Sequence, residues 1–131
     1  MPTFEKLIEE IIPYPADYSH RNGFSNYHII DKLNSSEQLE VEKALIAKLS
    51  EHPDDLLIVE TLTYLNSKDA LDSMYKLLTD TQRAETKIVI ASCIFQICKD
   101  PNMCDLVFEV GKTISDKYSS ISMLYYFAKM N

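Results

Sequence analysis

The chain has 131 residues and a mass of 15.1 kDa, with 46% apolar and 25% charged residues, which is a globular composition sized for one domain. Lys and Arg total 13 against 20 Asp and Glu, and the resulting net charge of −7 argues against a protein that coats nucleic acid or an anionic membrane. Two glycines are too few for a phosphate-cradling loop, and with only five prolines the chain lacks the turn residues an all-β fold needs.

In chain order the pattern is helix after helix. Residues 3–12 form an amphipathic, acidic helix, and three Glu in this stretch are unlike the basic start of a secretory leader. Residues 13–28, PYPADYSHRNGFSNYH, have no helical period and are expected to be an ordered loop, with a short helix around 26–34. A strong helix then opens at Ser35-Ser36-Glu37, with Ser36 as its expected N-cap and Val41, Leu45 and Leu49 on one stripe. Pro53 breaks it, and Pro53-Asp54-Asp55 begins the next helix, which runs to about Leu65. Asn66-Ser67 stops that helix, and Ser67 is placed to cap another in which Leu71, Met74, Tyr75 and Leu78 share a face.

The helix expected at 83–98 is different in kind. From Ile88 to Cys98 only Ser92 and Gln96 are polar, and they lie one turn apart on a narrow face. A helix apolar nearly all round belongs in the middle of a stack. Its longest apolar run falls well short of the roughly 20 residues of a membrane span, so a cytoplasmic protein is expected. Lys99-Asp100-Pro101-Asn102 turns the chain into a helix carrying Met103, Leu106, Val107, Val110 and Ile114, and a last helix covers 117–130. The fold class is therefore all-α, in one domain over 1–131.

The helices also repeat in pairs. IVETLTYLNSKDALDSMYKLL from Ile58 matches IVIASCIFQICKDPNMCDLVFEV from Ile88: both start Ile-Val and turn at Lys-Asp (Lys68-Asp69, Lys99-Asp100). Asp72, Met74 and Tyr75 then align with Asp105, Val107 and Phe108, at a slightly longer offset than the one relating the first helices. Over residues 36–130 this resembles a short HEAT/armadillo-type α-solenoid. The resemblance implies antiparallel pairs stacked as a right-handed superhelix, and the alternative is an irregular α-α bundle.

Catalytic chemistry is sparsely represented. Cys93, Cys98 and Cys104 are odd in number, lack zinc-ligand spacing and are expected to be reduced, largely buried thiols. Each histidine has an Asp three residues away: Asp17 with His20, His28 with Asp31, His52 with Asp55. Such pairs can serve as a general base or half a metal site, but these are scattered over a loop and helix ends, as ordinary surface groups are. His20, Arg21, Asn22 and His28 form the best catalytic set, without a nucleophile beside them. No cofactor or metal is implied. Tyr14, Tyr18, Phe24 and Tyr27 near one end, and Tyr118, Tyr125, Tyr126 and Phe127 near the other, either cap the stack or form an interface.

Charge is more informative. Residues 35–60 hold seven acids and two bases, net −5, whereas 61–131 hold eight of each. Glu37, Glu40, Glu42, Asp54, Asp55, Asp72, Asp105 and Glu109 are the candidate partner-binding residues, with Glu42, Asp72 and Asp105 forming an acidic row if the repeat is real. The plainer alternative is a solvated face that aids solubility. In size, acidity and lack of catalytic motifs the chain is similar to bacterial immunity proteins and antitoxins. That likeness implies a non-catalytic module that occludes a basic toxin domain, in some cases a nuclease, without contacting nucleic acid or membrane itself. Two alternatives stay open: a HEAT-like scaffold or adaptor, and a small hydrolase or nuclease using the loop histidines.

Overall fold

A computed structural model describes residues 4–12, 26–53, 55–113 and 128–130, which form seven α-helices, one 3-10 turn and no strand. The chain divides into two compact units, Met1–Leu65 and Asn66–Asn131.

The first unit contains α1 (Phe4–Ile11), α2 (Tyr27–Asp31), α3 (Ser35–Glu51) and α4 (Leu56–Tyr64). The expected stripe of α3 is its buried face: Val41, Leu45 and Leu49 lie in the core with Ile8, Ile11, Ile12 and Ile30 and with Ile58, Val59 and Leu62 of α4. One buried amide crosses this apolar interior. Asn26, just before α2, donates through Nδ2 to the Ile11 carbonyl at 2.9 Å and to Thr61 Oγ1 at 2.8 Å. Thr61 in turn donates to the Leu57 carbonyl. The amide therefore ties the end of α1 to α4 through groups that would otherwise lose hydrogen bonds on burial.

Two helix starts differ from expectation. The N-cap of α3 is Asn34, not Ser36: Asn34 Oδ1 accepts from Glu37 N at 2.8 Å, and Glu37 Oε1 accepts from Asn34 N at 3.0 Å. This reciprocal box satisfies two end groups at once, and the two serines fall inside the first turn. The cap of α4 is Asp55, whose Oδ1 accepts from Leu57 N at 3.2 Å, so Pro53 lies outside that helix rather than in its first turn. The Asp55 amide donates to the His52 carbonyl, forming a bend that separates α3 from α4.

The second unit contains a 3-10 turn (Lys68–Ala70), α5 (Leu71–Asp80), α6 (Ala84–Cys98) and α7 (Pro101–Gly111). α6 packs against both α5 and α7 and is the central helix, as its composition requires. Ile88, Val89, Ile90, Ala91, Ser92, Cys93, Ile94 and Ile97 are all buried along it. Along its polar seam Gln96 Nε2 donates to both the Ser92 carbonyl and Ser92 Oγ at 3.3 Å. Met74 and Leu78 of α5 and Met103 and Val107 of α7 join this core, with Ala70 of the 3-10 turn. None of the three cysteines is in a disulfide, and only Cys93 is buried; Cys104 is half-buried and Cys98 exposed. Cys93 and Cys98 stand about 140° apart around α6, which accounts for their contrast. Of the helix expected at 117–130, Ala128 and Lys129 are helical and Met130 is buried; the rest lies outside the described residues, as does Ile114.

The repeat acquires a different register in its turns. Asn66 and Lys99 both take left-handed backbone, at φ 55° and 59°. Ser67 and Asp100 follow them as N-cap residues, and Ala70 and Met103 are the next buried positions. One constant offset thus holds from the turn onward; it pairs Asn66 with Lys99 and displaces the Lys-Asp match read from sequence. Asn tolerates left-handed backbone through its short polar side chain, whereas Lys adopts it at a steric cost. Asp100 and Pro101 then start α7 as a cap and first-turn proline, instead of extending the turn.

Candidate functional site

The acidic residues of α3 differ in what occupies them. Glu37 is engaged in the Asn34 box, Glu40 is exposed, and Glu42 is half-buried. Glu37 and Glu40 are one turn apart on one face; Glu42 lies about 140° from Glu37 around the helix. Asp55 serves as the cap of α4, and Asp54 lies outside the described residues. Asp72 is exposed in the first turn of α5, where a carboxylate meets the positive helix end. Asp105 and Glu109 share the exposed face of α7, and Glu109 pairs with Lys112 at 3.4 Å. Glu42 belongs to the first unit and Asp72 and Asp105 to the second, so the members of the expected row divide between the units.

The whole excess of charge, however, collects in one place. Residues 1–65 hold 12 acids and 5 bases, net −7, and residues 66–131 hold 8 of each. The first unit therefore carries the entire net charge of the protein. It also holds four of the five exposed large apolar side chains among the described residues: Phe4, Tyr27, Leu39 and Tyr64.

Two of these four form a defined structure. Tyr27 starts α2 and Tyr64 ends α4, and their rings stack with centroids 3.9 Å apart and planes within 4°. Tyr64 Oη donates to Asp31 Oδ1 at 2.5 Å. The bond to Asp31, then desolvation, then the nearby charge of Asp31, all push the Tyr64 hydroxyl above its ordinary pKa. Sequence reasoning groups Tyr27 with the other early aromatics but misses Tyr64 and the role of Asp31. The helical period places Tyr64 about 200° from Leu62 and hence outward, which is the signal the sequence holds. Asp31 and Tyr64 are too far apart along the chain for any local spacing to show that they meet.

Two of the three histidine pairs, His28 with Asp31 and His52 with Asp55, lie among the described residues. No hydrogen bond joins His28 to Asp31, whose carboxylate accepts from Tyr64. His28 instead lines an open groove of about 550 Å³ with Leu7, Glu10, Ile29, Lys32 and Leu33. His52 is the C-cap of α3, where its backbone amide donates to the Lys48 carbonyl. His20, Arg21, Asn22, Asp17 and the aromatics Tyr14, Tyr18, Phe24, Tyr118, Tyr125, Tyr126 and Phe127 lie outside the described residues. Among the described residues no group of three His, Cys, Asp or Glu is placed to hold a metal ion, and no helix is long and apolar enough to cross a membrane.

The second unit has its own tyrosine–carboxylate bond. Tyr75 Oη donates to Asp100 Oδ2 at 2.5 Å and lies 3.8 Å from Cys98 Sγ, while Asp100 Oδ1 accepts from Asn102 N. The bond to Asp100, with desolvation and the Cys98 contact, drives the Tyr75 hydroxyl well above its ordinary value. The same bond, with the Asn102 amide, holds Asp100 below the usual carboxylate value. The carboxylate thus caps α7 and ties it to α5, which is a structural role. No protein-family model, curated protein or solved structure matches the chain.

Proposed function

We propose that the protein is a non-catalytic protein-binding module, of the immunity or antitoxin kind, that binds and occludes a basic toxin domain in the cytoplasm. The observation that carries this reading is the confinement of the full −7 charge to residues 1–65, the unit that also bears most of the described exposed apolar side chains. Charge of one sign speeds encounter with a basic partner and suppresses wrong ones, while exposed aromatics supply the buried anchors of a stable complex. Where the toxin is a nuclease, the carboxylates would stand in for the phosphates of its substrate.

A HEAT-like stack of helical pairs is the form in which we place this module. The matched turns support it: left-handed residue, cap and buried residue recur in the same spacing at Asn66-Ser67-Ala70 and Lys99-Asp100-Met103. An adaptor built on the same stack would need no basic partner, so partner charge separates the two readings.

The test is binding to basic nuclease domains across a salt series. Affinity should fall as salt rises, and the double variant Glu40→Lys, Glu42→Lys should weaken binding further at low salt than at high salt. A complex indifferent to salt and to both reversals, or no complex with any basic domain, overturns the proposal.

A further inference from the structure

We propose that the Tyr27–Tyr64 stack and Asp31 together form a receptor for an arginine side chain presented by the partner protein. The proposal rests on the basic-partner reading and names the chemistry by which that partner is anchored.

The geometry of Tyr64 carries it. One face of its ring is covered by Tyr27 and its hydroxyl is engaged by Asp31, yet the residue remains 40% exposed. With Tyr27 over one face and the hydroxyl engaged, we take this exposure to include the face away from Tyr27. A phenol donating to a carboxylate gains electron density, which makes the face of the ring more negative and more attractive to a cation. The carboxylate sits at the edge of the same ring and keeps acceptor capacity beyond the single bond it takes from Tyr64. A group that lies flat on the ring while directing N–H donors toward its hydroxyl end satisfies both features. Guanidinium is planar, delocalised and weakly hydrated, so it can extend the stack and reach Asp31 together; an ammonium can do only one well.

The second unit shows how this protein treats its other rings. Lys112 Nζ lies 4.6 Å from the centroid of Phe108, the most exposed large apolar residue described, and Lys99 Nζ lies 5.2 Å from that of Phe95. Those rings carry cations from their own helices or helix ends. Tyr64 has Tyr27 and Asp31 as its partners among the described residues, within a unit whose surplus of seven negative charges favours a cation from outside.

The experiment titrates hexa-arginine and hexa-lysine, which carry equal charge, into the full chain, with affinity from calorimetry and ring contact from tyrosine proton shifts. We expect hexa-arginine to bind about two- to fivefold more tightly and to shift the Tyr64 ring protons, as a cation on an exposed ring would. Tyr64→Leu should erase the preference for arginine. Tyr64→Phe, which keeps the ring but not its bond to Asp31, and Asp31→Asn should each reduce it while leaving the helical signal unchanged. Glu40→Lys should lower both affinities by the same factor. Equal, salt-sensitive binding of both peptides that ignores Tyr64→Leu, Tyr64→Phe and Asp31→Asn overturns the arginine receptor and leaves the basic-partner reading standing. Binding by neither peptide overturns both.

Discussion

Among the described residues each unit ties two helices through a tyrosine donating to an aspartate, and the settings of the two bonds are opposite. In the second unit Tyr75 meets Asp100 beside Cys98, where the carboxylate also caps α7 and the surrounding charge is balanced. In the first unit Tyr64 meets Asp31 at the surface, stacked on Tyr27, within a segment of net charge −7. The same chemical pair thus serves a cap in one setting and shapes an electron-rich ring in the other. Differences in exposure and in neighbouring charge, rather than in the bond itself, separate a structural contact from a candidate recognition site.

The largest effects are expected from emptying the core of each unit in turn. Ile94 lies fully buried on α6 and Leu45 fully buried on α3. Ile94→Ala and Leu45→Ala should each cost about 2–5 kcal/mol, since each removes apolar contacts and leaves a cavity that packed neighbours only partly fill. Chemical denaturation followed by far-UV circular dichroism measures both. For a chain of this length we expect each substitution to lower one shared transition. Two transitions, each moved by only one of the substitutions, would divide the chain thermodynamically near Leu65 and Asn66 and break the expectation of a single domain.

A smaller effect is expected where the first unit departs from the second in buried polarity. Asn26 is fully buried and bridges the Ile11 carbonyl and Thr61 across helices, whereas along α6 the half-buried Gln96 donates to Ser92 one turn away on the same helix. Asn26→Ala should cost about 1–3 kcal/mol, because the Ile11 carbonyl loses its donor in an apolar setting. Amide exchange would show the loss concentrated in α1 and α4. A uniform loss, or none, would mean the amide does not link these elements.

The sequence and the structure agree where one helix decides the matter and part where two must meet. Val41, Leu45 and Leu49, one turn apart in sequence, are buried together, and the nearly all-round apolar surface of α6 from Ile88 onward predicts its central place. Caps are less legible, because several residues near a helix start can accept a backbone bond. Ser36 is as plausible as Asn34 until Glu37 is seen to answer Asn34 reciprocally. That answer also explains why acidic residues alone are an ambiguous guide to a site: Glu37 and Asp55 hold helix starts and Glu109 pairs with Lys112, while Glu40 stands exposed. The charge count points to residues 35–60, and the division at Leu65 widens this to the first unit, since 61–65 carry no charge. The Asp31–Tyr64 bond joins the end of α2 to the end of α4 across the whole of α3, and no helical or turn spacing encodes such a pairing.

The smallest effect expected is a pH dependence of the tyrosine–aspartate bonds, with both an acid and an alkaline limb in the second unit. Asp100 titrates below its ordinary value in the folded chain, so the unfolded chain binds the proton first as pH falls. Its contribution is fully present above the unfolded value of about 3.9 and is lost as pH drops through the folded one. Tyr75 titrates above its ordinary value, so at high pH the unfolded chain releases its proton first. Its contribution is present below about pH 10 and is lost as pH rises toward the folded value. The stability difference between the parent protein and Tyr75→Phe should therefore form a plateau across neutral pH and shrink at both ends. Denaturation midpoints across a series from acid to alkaline pH measure it. The acid limb should shrink only in part, because Asn102 N still donates to Asp100 in the variant. A difference that is constant across the range would show that the hydroxyl contributes through packing alone. The corresponding Tyr64→Phe difference should narrow at the alkaline end as well, because its hydroxyl is raised by the same kind of bond.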